Sequence, residues 1–207
     1  VTTDDPVLSA FFEVKERYGI PDEEIEQFVD AMRTDIETSR YESYDELEAY
    51  MRGSAAAVGV MMTIIMETDD TEVALPKARR LGEAFQLTNF LRDVGEDIAD
   101  RNRIYLPQTT LDACGADPRD IERRTFTDDI GAAIEGELTR AERLYREGVS
   151  GIKYLPADCQ LPVLTAAVLY ADHHRLIRER GTDTPPDTPS PGALRTFPLA
   201  RKTRSTG

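Results

Sequence analysis

The stretch Gln86-Leu-Thr-Asn89-Phe-Leu-Arg-Asp93-Val-Gly-Glu-Asp97 decides how the rest of the chain is read. On a helix, Gln86, Asn89, Asp93 and Asp97 fall at i, i+3, i+7 and i+11 and make one polar stripe. Phe85, Leu87, Leu91 and Ile98 lie at other angles, so the same helix has an apolar side to bury. Two carboxylates one turn apart suit a hard divalent cation. Mg²⁺ takes one or two protein carboxylates and completes its shell with water and phosphate oxygens, so Asp93 and Asp97 are candidate ligands of a diphosphate clamp. The chain carries 39 acidic and 25 basic side chains, and in such a background a bare Asp-x-x-x-Asp pair is by default a solvated face.

The surroundings of the stripe read as an all-α domain. No alternating strand pattern persists, and 207 residues are enough for one domain with a substantial core. Pro21 opens a helix in which Ile25, Phe28, Val29, Met32 and Ile36 form an apolar stripe. Ser43 and Glu46 supply a capping box for a helix over Tyr44 to Met66. Its small residues, Gly53 to Ala57 and Gly59, admit a close helix neighbour or leave room for a long apolar ligand. The stripe itself is placed on a helix from Pro76 to Asp100, ended by Arg103-Ile-Tyr-Leu-Pro107. A further helix, Asp128 to Glu147, turns Ile130, Ala133, Ile134, Leu138, Ala141 and Tyr145 to the core. Tyr170 lies on the next helix, and the Pro-rich segment 181–191 interrupts it before a basic tail over 192–207.

Charge and composition exclude several classes. A net charge of −14 and a pI near 4.6 argue against nucleic-acid binding through a basic surface. Cys114 and Cys159 are too isolated for a disulfide framework or a zinc site, and adjacent His173 and His174 are read as surface or structural residues. Val1 to Pro6 is polar, so no secretory leader is expected. The longest apolar run, Ala55 to Met66, falls short of the roughly 20 residues a transmembrane helix needs. The expectation is a cytoplasmic protein, with peripheral membrane contact left open.

From Leu81 to Pro107 the chain reads LGEAFQLTNFLRDVGEDIADRNRIYLP, which resembles the second aspartate-rich motif of the phytoene and squalene synthase family. The Asp-Val-Gly-Glu-Asp form, with Gln-Leu-Thr-Asn before it and Arg-Ile-Tyr-Leu-Pro after it, looks more like the phytoene than the squalene branch. Residues 50–59, YMRGSAAAVG, resemble the family's Tyr-x-Tyr/His-x-Val-Ala-Gly-x-Val-Gly segment. There Tyr50 matches the first tyrosine, while Arg52, Ser54 and Ala56 depart from the pattern. Gln160 stands where many relatives have arginine.

The resemblance implies an isoprenoid synthase helical bundle. It further implies Asp93, Asp97 and Tyr50 as catalytic residues, Asp93 and Asp97 as ligands of Mg²⁺ or Mn²⁺, and Gln86, Asn89, Arg103, Tyr170 and Arg195 as substrate contacts. The implied reaction joins two geranylgeranyl diphosphates head to head into phytoene through a cyclopropyl diphosphate, without NADPH. Squalene synthases reduce the final cation with NADPH, and that branch is the alternative prenyltransferase reading. Family members also carry a first aspartate-rich motif upstream of the segment that Asp5-Pro-Val-Leu-Ser-Ala-Phe11 resembles. Asp4 and Asp5 lack its spacing, so the chain is expected to be N-terminally incomplete, about the last two-thirds of the domain, and inactive alone. A noncatalytic helical binding protein is the alternative from another class.

Overall fold

The structure is a computed structural model and describes residues 4–182. Arg195 and the basic tail lie outside these residues. Every regular element among them is helical: α1 Pro6–Tyr18, α2 Asp22–Glu37, α3 Tyr44–Met51, α4 Ala57–Ile65, α5 Thr71–Arg92, α6 Val94–Arg101, α7 Gln108–Cys114, α8 Pro118–Glu122, α9 Asp128–Val149 and α10 Ala157–Thr182. The all-α expectation holds. The long helices α5 and α9 pair most extensively, with α4, α10 and α2 packed around them. Leu81, Ala84, Leu87 and Leu91 of α5 meet Ile130, Ala133, Leu138, Ala141 and Tyr145 of α9 in one buried cluster. The sequence-read face of α9 is therefore the core face.

Helix starts follow their caps. The Ser43 hydroxyl accepts the Glu46 N–H at 3.3 Å, and the Glu46 carboxylate reaches back one residue further than expected, to the Glu42 N–H. Helix α5 begins at Thr71, not Pro76, because the Asp70 side chain accepts the Val73 N–H and caps the first turn. Pro76 sits inside the helix and leaves one carbonyl without its intrahelical donor. Helix α10 continues to Thr182, two residues into the segment read as an interruption.

Two further differences matter for the site. Between α3 and α4 the chain makes a π-helical turn, Arg52–Ala56, so the expected single helix is locally widened over its run of small residues. A Cβ on Gly53 would sit 2.6 Å from the Ala31 Cβ of α2 and 2.2 Å from the Gln27 carbonyl oxygen, and one on Gly59 would sit 2.7 Å from the Ala78 carbonyl of α5. Small residues here bring backbones together. The same close approach rotates α2: Ala31 and Glu24 are buried, whereas Val29, Met32 and Ile36 of the expected core stripe are exposed, Ile36 by 82%. Buried Glu24 is matched by Arg79 of α5 at 2.6 Å.

Candidate functional site

The polar stripe is not on one straight helix. α5 ends at Arg92 and α6 begins at Val94, with Asp93 at φ −103°, ψ 12° between them. Asp93 keeps the ladder connected, its N–H donating to the Asn89 carbonyl and its carbonyl accepting from the Glu96 and Asp97 N–H groups. The break accompanies a neighbour contact that a regular helix does not permit: Arg92 donates to both Asp93 carboxylate oxygens, at 2.7 and 2.6 Å. Gly95, a weak helix former, follows directly. Sequence spacing gave no hint of Arg92, because i, i+1 pairs point apart on the assumed helix.

Asp97 is 7% exposed and is held by Arg101 at 3.2 Å. Burial pushes its carboxyl up to about 6 and the Asp93 charge adds to this, against the opposing pull of Arg101 and Arg103. The side-chain oxygen of Asn89 is buried without a hydrogen-bond partner. A buried carbonyl lacking a donor is costly unless something electropositive satisfies it. Two carboxylates and an unpartnered amide oxygen are all-oxygen donors of the kind Mg²⁺ prefers, so their chemistry fits such an ion. Among the described residues no group of three or more His, Cys, Asp or Glu side chains is placed to hold a metal ion.

Gln86, one turn before Asn89, lines an apolar cavity of about 380 Å³. Its walls come from the π turn and α4 (Ser54, Val58, Met62), α5 (Ala74, Leu81, Phe85), the 151–155 connection and α10 (Val163, Ala166). The Ser54 hydroxyl is buried and unpartnered. Small residues of the 53–59 run thus serve both readings, close packing and ligand space. Tyr170 links the cavity to the acidic end: its ring centroid lies 4.8 Å from that of Phe85, and its hydroxyl is reached by Arg92, which grips Asp93.

Tyr50 and Arg103 lie apart from the cavity lining, on a shared partner that spacing did not reveal. The Tyr50 hydroxyl donates to Asp35 at 2.8 Å, and Arg103 donates to both Asp35 carboxylate oxygens at 2.9 Å. Burial and the Asp35 bond push the Tyr50 hydroxyl well above the ordinary tyrosine range. Arg103 is therefore engaged inside the protein in this structure. Gln160 donates to the Leu155 carbonyl at 2.8 Å and closes the turn before α10. His174 is buried against the Thr88 hydroxyl at 2.9 Å, a structural contact.

An all-α bundle with an acidic helix end above an apolar cavity is the architecture of the isoprenoid synthase class. Within it the chain belongs to the squalene/phytoene synthase family, whose family model matches residues 1–197. It is 34% identical over 171 residues to phytoene synthase 3 of Zea mays, covering 80% of this chain and 40% of that protein. It is 36% identical over 167 residues to the phytoene synthase of Rhodobacter capsulatus, covering 80% of this chain and 49% of that one. A dehydrosqualene synthase crystal structure superposes with a TM-score of 0.79 at 28% identity, covering 86% of this chain and 62% of that one. A squalene synthase from Alicyclobacillus acidocaldarius gives 0.76 at 27%, over 81% and 63% of the two chains. The chain thus spans less than half the length of these two phytoene synthases.

Proposed function

We propose that the chain forms one wall of a prenyl diphosphate condensing site of the phytoene type, acting on two geranylgeranyl diphosphates. The observation that carries the proposal is that Gln86 lines the apolar cavity one helical turn before Asn89, whose buried side-chain oxygen has no partner, on the helix that leads to Asp93 and Asp97. Asp93 and Asp97 would hold Mg²⁺, which supplies charge neutralisation for a departing diphosphate. Gln86 and Asn89 orient the diphosphate end. The apolar walls shield the allylic cation from water, with Phe85 in the lining and the Tyr170 ring packed against it. Arg92 holds Asp93 in the absence of metal and is placed to turn to a diphosphate once the carboxylate is engaged.

The wall facing Asp93 is assigned to polypeptide beyond these 207 residues, carrying a second acidic cluster. Exposed apolar side chains support this: Val58 and Met62 line the cavity on α4 and are open to solvent. The test is product formation. A form extended by its upstream coding sequence is expected to convert geranylgeranyl diphosphate to phytoene with Mg²⁺ and without NADPH. A requirement for NADPH, or a preference for farnesyl diphosphate, would move the assignment to the squalene branch.

A further inference from the structure

Asp35, near the end of α2, gathers more partners than any other carboxylate near the stripe. It accepts the Tyr50 hydroxyl at 2.8 Å, both contacts from the Arg103 Nη1 at 2.9 Å, and the Tyr105 hydroxyl at 3.4 Å. The Arg103 Nη2 also donates to the Asp35 main-chain carbonyl. These bonds close over a buried ring cluster in which Phe90 stacks on Tyr105 at 3.8 Å and 9°, while Tyr50 lies 6.1 Å from Tyr105 and 6.2 Å from Phe90. Phe90 belongs to α5, between Asn89 and Asp93. Arg103 follows α6 directly, and its N–H donates to the Asp97 carbonyl. The segment after it is pinned to the α2–α3 connection, Ile104 N–H to the Ser39 carbonyl and Gln108 N–H to the Tyr41 carbonyl.

We infer that Asp35 is a positioning residue for the metal-binding end of the site, fixing Arg103 and the ring cluster and through them the placement of Asp97. The inference rests on the reading of Asp93 and Asp97 as a metal clamp. By accepting from Tyr50 of α3 and from Arg103 after α6, the Asp35 carboxylate ties these two ends of the assembly together and so sets how far α6 stands from α5. Asp35 itself does not touch the metal or the substrate. Its charge also occupies Arg103, which acts electrostatically on Asp97. Loss of the Asp35 tie therefore both loosens α6 and frees a cation to compete for the clamp.

The experiment titrates Mn²⁺ into the 207-residue chain and reads free Mn²⁺ by electron paramagnetic resonance, with far-ultraviolet circular dichroism confirming equal helicity. Asp35→Asn removes the charge, and Asp35→Glu keeps it but displaces it by one methylene. Outer-shell groups of this kind typically alter metal affinity by about 10- to 100-fold, and both variants are expected to weaken Mn²⁺ binding at least about tenfold on that scale. Loss in Asp35→Asn with wild-type affinity in Asp35→Glu would reduce Asp35 to a diffuse charge and overturn the positioning role. Wild-type affinity in both would overturn it as well. The clamp reading is scored separately by Asp97→Asn. If that variant binds Mn²⁺ as the parent does, the clamp fails and the role of Asp35 toward it falls too.

Discussion

At the scale of single residues, the buried carboxyl of Asp97 costs stability in its ionised form. Its folded-state value of about 6 lies above the roughly 3.9 of an unperturbed aspartate. A raised value means that the folded state favours the protonated form. That contribution is complete below about pH 4 and is lost as pH rises through 6, an effect on the order of 2 to 3 kcal/mol. Asp97→Asn carries no such loss, so in chelator at pH 7.5 it should melt above the parent, and the gap should close below pH 4. Parallel melting curves across that range would contradict the burial argument. Added Mg²⁺ should stabilise the parent and not the variant. In an N-terminally complete enzyme the same substitution, or Asp93→Asn, should cost about 10²- to 10³-fold in turnover, the usual scale for a lost electrostatic group. Exposed Asp100, beside the motif but outside the pair, is the control. Asp100→Asn should retain near-parent turnover at saturating Mg²⁺.

At the scale of helices, close approach decides what the sequence pattern left open. Gly53→Ala would push a Cβ to 2.2 Å from the Gln27 carbonyl, against backbone that cannot yield cheaply, whereas Gly136 on α9 faces open space. Chemical denaturation should show Gly53→Ala destabilised by about 1 to 3 kcal/mol and Gly136→Ala unchanged or stabilised by up to about 1 kcal/mol. The contrast explains what was legible beforehand. α9 was readable because its apolar residues repeat at helical spacing and face the core, with α5 as the main partner and α7 and α10 beside it. The α2 stripe was misread because spacing reports which residues share a face, not which face a neighbour takes. Gly53 drew α2 in by Ala31, and the stripe turned outward. The sequence placed Gln86 to Asp97 on one helix, yet the break at Asp93, with the Arg92 contact that accompanies it, left no mark in the spacing. Asp35 left no local signal: its partners Tyr50 and Arg103 are 15 and 68 residues away.

At the scale of the whole molecule, α10 leaves an apolar face uncovered. Leu161, Leu164 and Val168 fall at i, i+3 and i+7 on α10 and are exposed by 71%, 40% and 60%. Contiguous apolar faces of this kind mark contacts with further polypeptide, whether another part of a protein or another copy. No helix among the described residues is long and apolar enough to cross a membrane. If the face completes the catalytic cavity, two outcomes are linked. The 207-residue chain should make little or no phytoene from geranylgeranyl diphosphate and Mg²⁺, as expected if further polypeptide supplies the facing wall proposed above. It should also self-associate through the uncovered face, and Leu161→Lys with Val168→Lys should return it to a monomer by light scattering after size exclusion. In an extended, active form the same pair of lysines would be buried against the added wall and should abolish assembly of the site. Robust phytoene synthesis by the 207-residue chain, or an extended enzyme indifferent to both lysines, would show that the α10 face does not bound the reaction cavity.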